Sequence, residues 1–240
     1  MTNPYTNSKL SHKKQVALMF NNIAGTYDLL NHVLSFGIDK IWRKQAIKAI
    51  QKHSPLTILD IATGTGDFAI LAAQKLSPEK IIGIDISEKM LEKGIKKIAK
   101  KHLSSIITLQ LNDSEKMEFA DNSFDATLTG FGVRNFENLS AGLSENYRVL
   151  KKDGVAAILE FSKPQKFPVK QLYFFYFKYI LPTIGKVISK DYNAYKYLPE
   201  SVDNFPYGKA FIKHAQQAGF KNITHKKLTC GIASLYICIK

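Results

Sequence analysis

Glycines and carboxylates at fixed intervals carry the first chemistry in this chain. ILDIATGTGDF, residues 58–68, runs a short apolar segment into a turn holding Gly64 and Gly66, then opens a helical pattern. Glycines let a backbone approach a ligand closely, and a helix start offers unpaired N–H groups. Taken alone, such a turn also serves simply to join a strand to a helix. It has neither the full GxGxxG spacing of a dinucleotide site nor the GKS/T ending of a phosphate loop. Asp67, at the helix start, repels a pyrophosphate. Asp85 lies 19 residues beyond Gly66, at the end of the next apolar run, IIGID. A carboxylate at about that interval can accept from two ribose hydroxyls, each bond being worth about 1.5–3 kcal/mol. Capping the following helix is the alternative, a task that Ser87 suits better. Asp113-Ser114, after a third run, offers either an acceptor for an adenine amino group or a plain turn. Together the three features describe a seat for a nucleoside without phosphates.

Those residues need a scaffold, and the apolar rhythm supplies one. Val16, Leu18, Met19, Phe20 and Ile23 have helical spacing over Lys13–Ile23. A second helix is expected from Asp39 to about Gln51, with Asp39 as its N-cap. Strands are expected at 56–61, 81–85, 106–111, 124–129 and 155–161, with helices at 68–76, 87–101 and 139–150 between them. Strands alternating with helices predict a parallel α/β sheet covered on both faces. Residues 163–205 break the alternation with an insertion rich in aromatics and proline. A helix at 208–217 and strands at 221–228 and 232–239 follow, the last two joined by the short Thr229–Gly231 turn as an antiparallel hairpin at the sheet edge.

Composition narrows the function classes. With 240 residues, 45% of them hydrophobic and 22% charged, the chain reads as one globular domain spanning 1–240. Its size allows about 70% of the unfolded surface to be buried. The longest apolar run, Leu172–Ile184, carries Lys178 and Pro182 and is shorter than the roughly 20 residues a membrane span requires. The formal charge is +14, yet only three of the 34 basic residues are arginines, Arg43, Arg134 and Arg148. Lysines are solvated point charges, ill suited to bidentate contacts. Proteome bias, attraction to anionic lipid and nucleic-acid binding all compete as causes. Helix-turn-helix, zinc and RNP signatures are absent, which argues against a nucleic-acid module. Cys230 and Cys238 match neither a zinc site nor a disulfide framework and are expected as buried free thiols. Trp42 is expected in the core, and His12, His32, His53, His102, His214 and His225 at the surface. The N-terminus has no apolar run before a cleavage site, so a cytoplasmic protein is expected.

The phosphate-free nucleoside seat is the arrangement of class I S-adenosylmethionine-dependent methyltransferases, which this chain resembles. Four stretches sharpen the resemblance to the UbiE/MenG quinone C-methyltransferases. The first is Met19-Phe20-Asn21 with IAGTYDLLNHVLSFGIDKIWR at 23–43. The second is ATGTGD at 62–67 with GIDIS at 83–87. The third is FGVRNF at 131–136 with RVLKKDG at 148–154 and LEFSKP at 159–164. The last is YLPESVDNFP at 197–206 with LTCGIASLY at 228–236. The match extends from about residue 13 to the end. The chain departs from the family at four positions: Asp39 replaces a frequent His, Lys152-Asp153 replaces Pro-Gly, and Gly130 replaces a small hydroxyl residue.

The resemblance implies a seven-stranded, mostly parallel sheet in the order 3-2-1-4-5-7-6, with an antiparallel C-terminal strand. Residues 1–52 would form a helical lid, and 163–205 an insertion facing the substrate. S-adenosyl-L-methionine would be held by Tyr27, Thr63, Gly64, Gly66, Asp85, Ile86, Asp113, Ser114 and Gly130. The acceptor would be a polyprenylated quinol, demethylmenaquinol in the first instance and a benzoquinol in the second. A quinol carbon becomes nucleophilic when its neighbouring hydroxyl loses a proton, so the site must stabilise a phenolate or take that proton. Arg134 is the expected cation, a structural pair with a carboxylate such as Glu137 being its alternative. Asn135 would orient the ring or a water. Tyr27 would contact the methionine end or serve as a core aromatic, Asp28 would share its lid segment, and Asn31 and Asp39 are weaker candidates. The aromatics 172–179 and LPTIG would wall the prenyl tail, or simply pack on the sheet. Lys163, Lys166, Lys170 and Lys178 flank those aromatics, as on a peripheral membrane helix, so a transient membrane contact at the inner face of the cell membrane is expected. A homodimer is compatible with the resemblance, and an RNA acceptor is disfavoured because Asn135-Phe136 is not followed by proline. Asp85 and Gly64 argue against an inactive relative.

Overall fold

The structure, a computed structural model, describes residues 2–29, 35, 37–180 and 192–240. Every strand of the sheet lies within that range. Parallel neighbours β1 (Thr57–Ile61), β2 (Lys80–Asp85), β3 (Ile107–Leu111), β4 (Phe124–Gly130) and β5 (Leu150–Phe161) are extended at the β5 edge by β7 (Ala233–Ile239), antiparallel to β5, and then by β6 (Asn222–Leu228), antiparallel to β7. The order across the sheet is β3-β2-β1-β4-β5-β7-β6, as expected. The strand order reverses between β1 and β4, so the carboxyl ends of those strands border the crevice where open α/β sheets bind ligands.

Alternation along the strands sorts their side chains onto two cores. Ile58, Ile81, Ala126, Leu128 and Leu159 face α2 (Ile38–Gln51) and α3 (Asp67–Leu76). Leu59, Ile61, Ile84 and Ile158 face α5 (Leu139–Val149) and α8 (Lys209–Gln217). A third, smaller cluster joins α1 (His12–Ile23) to α4 (Glu88–Lys100) and α7 (Tyr192–Asn204) through Val16, Met19, Met90, Ala194 and Tyr197. This cluster sets the N-terminal segment and the insertion side by side above the strand tips.

Local chemistry explains most element ends. The Ser87 hydroxyl accepts from the Met90 N–H at the start of α4, and Asn138 does the same for Ala141 at α5. Gly66 enters α3 at φ 79°, a left-handed conformation open to glycine at little strain. Several expectations need correction. Asp39 is not the cap of α2: Gly37, at φ 72°, occupies that position, and the buried Asp39 carboxylate pairs with Arg43 one turn later. β5 starts at Leu150 rather than 155, because the Lys152–Gly154 stretch is carried as a bulge against β4. His12 is buried, its Nδ1 bonded to Asn3 Oδ1 at 3.0 Å, because α1 packs that ring beside Tyr197. His53, His214 and His225 are half-buried, and His225 stacks on Tyr236; only His102 is exposed as expected. Cys238 is a buried free thiol, but Cys230 is exposed on the turn between β6 and β7. Trp42 is in the core, with its indole N–H donated to Thr229 Oγ1 at 2.8 Å. The expectations at Asn31, His32 and LPTIG fall outside the described residues.

Candidate active site

The strand tips open on two cavities that share a wall. The first, about 60 Å³, lies over β1, β2 and the loop after β3. Tyr27, Gly64, Asp85, Ile86, Asp113, Ser114 and Gly130 line it, seven of the nine residues expected at a cofactor. Asn135 also lines it. Thr63 and Gly66 do not reach the cavity surface. The Thr63 hydroxyl is donated to Asp60 Oδ2 at 2.6 Å, and Gly66 shapes the helix entry from behind.

Asp85 is fixed by backbone. Its Oδ2 accepts from Gly64 N at 2.8 Å and its Oδ1 from Ser87 N at 2.9 Å. An ionised carboxylate has about four acceptor positions, so both oxygens keep capacity for vicinal hydroxyls. Burial pushes its pKa up, and the N–H groups of Ser87, Gly64 and Ile86 oppose that shift. Asp113 is held by Glu115 N at 2.9 Å and by Lys13 Nζ at 2.6 Å. Lys13 also reaches Glu115 at 3.2 Å. The expected adenine acceptor is therefore clasped by the first helix, a contact that the sequence pattern gave no means of finding.

Further contacts latch the N-terminal segment over this cavity. Asp28 accepts from Thr65 Oγ1 and pairs with Lys97 Nζ, both at 2.6 Å, and Lys97 also pairs with Asp67 at 2.8 Å. Asn21 Oδ1 accepts from the Ser87 hydroxyl at 2.8 Å and from Lys89 N at 3.1 Å. The segment carrying Tyr27 is thus tied to the loops after β1 and β2. Lys97 neutralises Asp67, yet the seat still offers carboxylates where a nucleotide would bring phosphates. Backbone glycines and acceptors for hydroxyl and amino groups suit an uncharged nucleoside, and the one lysine among the described residues that lines the cavity, Lys13, is paired with Asp113 and Glu115.

The second cavity is about 320 Å³ and nearly all apolar. Met19, Ile23, Trp42 and Phe161 supply one side, and Tyr173, Tyr176, Phe177 and Tyr197 the other. Phe20, Tyr27 and Phe131 line both cavities. Phe131 stands at φ 61°, a conformation uncommon for an aromatic residue and often found where a site fixes the backbone. Two ion pairs interrupt the greasy wall. Arg134 Nη1 meets Glu160 Oε1 at 2.8 Å, donates also to the Phe131 carbonyl, and its guanidinium stands 5.4 Å from the Phe161 ring centre. Arg43 pairs with Asp39, and its guanidinium stands 5.3 Å from Phe131. Phe131 and Phe161 lie between the two cations with centroids 4.6 Å apart. The Nε of each arginine is buried with no partner among the described residues.

The structure separates the two residues expected at the reaction. Arg134 lines the larger cavity and Asn135 the smaller one, their side chains diverging from a single 3-10 turn, Val133–Asn135. Asn135 Oδ1 accepts from the Tyr197 hydroxyl at 3.1 Å, which links the two compartments. Arg134 is paired with Glu160 of β5, not with Glu137. A lone carboxylate inside the apolar run of β5 is the signal that could have exposed this partner, since a buried charge requires one. At Gly130, an added Cβ would lie 2.9 Å from Phe68 Cδ1. Phe68 therefore fills the space that a hydroxyl side chain would need, a physical reason for the departure at this position.

Residues 8–240 match the ubiE/COQ5 methyltransferase family. The demethylmenaquinone methyltransferase of Bacteroides fragilis is 48% identical, over 99% of this chain and 96% of its own length. The ubiquinone/menaquinone biosynthesis C-methyltransferase UbiE of Geotalea daltonii is 47% identical, over 95% and 97%. Among solved structures, a SAM-dependent methyltransferase from Aquifex aeolicus superposes with a TM-score of 0.57 at 18% identity, covering 80% of this chain and 88% of the other, a likeness of fold.

Proposed function

The chain belongs to the ubiE/COQ5 methyltransferase family, and from that premise we propose that it methylates a ring carbon of demethylmenaquinol with S-adenosylmethionine as donor. The observation that carries this reading is the pair of cavities: a polar seat with carboxylates for an uncharged nucleoside, separated by Phe131 from a large apolar chamber that holds a buried guanidinium. When bound, the donor supplies an electrophilic methyl on a cationic sulfur. Asp85 accepts the ribose hydroxyls, and Asp113, once released from Lys13, accepts from the adenine edge. Tyr27 closes over the methionine end.

In the larger chamber the aromatic rings grip the acceptor ring, and the apolar wall takes the beginning of the tail, each buried CH₂ adding about 0.8 kcal/mol. Arg134 stabilises the phenolate oxygen beside the reacting carbon, from a position where low dielectric strengthens its charge. The donor would supply the methyl group and keep the electron pair of the broken carbon–sulfur bond as a neutral thioether, and the ring carbon would give up its proton to water as the ring regains aromaticity. Asn135, held by Tyr197, fixes the orientation at the boundary between donor and acceptor. The test is an assay of the purified protein with S-adenosylmethionine and reduced demethylmenaquinone, read by mass spectrometry. Menaquinone heavier by one methylene unit is the expected product. Methylation of a polyprenyl benzoquinol alone would move the acceptor to the ubiquinone pathway, and methylation of neither would overturn the reading.

A further inference from the structure

The wall of the larger cavity carries a second charged pair, Asp39–Arg43, for which the reaction as proposed has no task. Its residues stand one turn apart on α2, and both line the cavity. Both are buried, Asp39 at 3% and Arg43 at 8% exposure. The Asp39 carboxylate accepts from Arg43 Nη1 and, at 2.7 Å, from the Ser35 hydroxyl. Arg43 Nε is buried with no partner among the described residues. The two charged pairs are separately mounted. Arg43 stands against the Phe131 ring, whereas Arg134, which follows β4, stands against Phe161 and pairs with Glu160 of β5. Tyr173 of α6 (Val169–Phe175) and Tyr197 of α7 supply the other side of the cavity.

Stability is a poor reason for such a pair. Burying two charges costs desolvation, and apolar residues of similar volume often support a fold as well or better. A flat 1,4-quinol supplies another reason. It carries an oxygen at each end of the ring, and Arg134 takes only the one beside the reacting carbon. A hydroxyl both donates and accepts, and a carboxylate next to a guanidinium offers it an acceptor and a donor together. A quinone carbonyl only accepts, so a carboxylate at its edge disfavours the oxidised ring. We propose that the Asp39–Arg43 pair binds the second ring hydroxyl of the acceptor, the one beside the tail, and thereby selects the quinol over the quinone. The inference rests on the quinol acceptor proposed above.

The experiment is calorimetry of the full chain under nitrogen with no methyl donor present, so that binding is read without turnover. Three ligands are compared, each with a single isoprene unit: the demethylated naphthoquinol, its quinone, and the naphthol that lacks the hydroxyl beside the tail. The wild type should bind the quinol at least about tenfold more tightly than either of the others. D39N/R43Q keeps similar shapes and leaves no buried charge unpaired. It should bind the quinol at least about tenfold more weakly than the wild type and no longer tell the three ligands apart. D39N alone puts a donor where a carbonyl can accept it, and should hold the quinone more tightly than the wild type does. A wild type that binds quinol, quinone and naphthol alike would overturn the proposal without recourse to any variant. So would a double variant that still prefers the quinol, since the pair would then only support the wall. Equal binding of the three ligands with methylation of the quinol intact would remove the pair's role and leave the reaction. Selection that depends on the pair as described, with no methylated product, would keep the pair's role and remove the reaction instead.

Discussion

The two cavities, proposed as donor seat and acceptor chamber, are built by opposite means. The seat is made of backbone and carboxylates from consecutive strand ends, Gly64, Asp85 and Asp113, each placed by a short local motif. The chamber is made of aromatic side chains from segments far apart in sequence, Trp42, Phe131, Phe161, Tyr173 and Tyr197, with charge admitted only as paired Arg43–Asp39 and Arg134–Glu160. A seat of hydrogen bonds selects its ligand by donor and acceptor pattern. A chamber of rings selects by shape and apolar area, and its few charges act strongly because water is scarce around them.

The sharpest way to break this contrast is at Arg134. Arg134→Ala should lower turnover at least a hundredfold with the donor dissociation constant unchanged. It should also destabilise the fold by about 3–5 kcal/mol, because Glu160 is left buried and unpaired. The double variant R134M/E160Q should recover much of that stability and none of the turnover, as read by urea unfolding beside the methylation assay. Recovery of turnover in the double variant would show that Arg134 serves packing alone.

The next effect is on pH dependence, at the root of the seat. Asp60 is buried at the end of β1, and burial lifts its pKa to about 7, against the opposing pull of the Thr63 and Ala69 hydrogen bonds and of Arg43. A carboxyl whose folded pKa is raised supports the fold fully below its unfolded value near 4, and that support is lost as pH rises through about 7. Asp60→Asn should therefore gain stability relative to the wild type between pH 4 and 7, by up to about 3–4 kcal/mol. Parallel pH profiles of the two proteins in urea would show that Asp60 is ionised across the range.

Asp85→Ala should raise the donor dissociation constant between about ten- and a hundredfold, the worth of one charge-assisted hydrogen bond. Acceptor binding should not change. Calorimetry returning an unaltered donor affinity would remove Asp85 from the seat. The smallest effect is expected at Gly130. Gly130→Ala forces a methyl against Phe68 and should cost about 1–2 kcal/mol of stability. Adding Phe68→Leu should relieve the clash, and thermal unfolding of the pair distinguishes contact from backbone effects.

The same contrast marks what could be read from the sequence. Strands β1 to β4 and the positions of Gly64, Asp85 and Asp113 were legible because each depends on neighbours a few residues away. The chamber's partners were not. Asp39 looks like a helix cap when read locally and is instead half of a buried pair with Arg43. His12 looks like a surface residue, yet α1 is folded back over the site. Arg134 could be picked out as a cation, but Glu160, 26 residues later, becomes its partner only once β4 and β5 lie side by side. The contact of Lys13 with Asp113, 100 residues away, is the extreme case.

Phe131 gives the two compartments one partition. A ring pinned at φ 61° between Trp42 and Phe161 cannot yield to a guest on one side without presenting a different surface to the other. Any displacement of that ring therefore makes the affinities for methyl donor and acceptor interdependent. Thermodynamic reciprocity then requires that each guest alter the other's hold by the same factor.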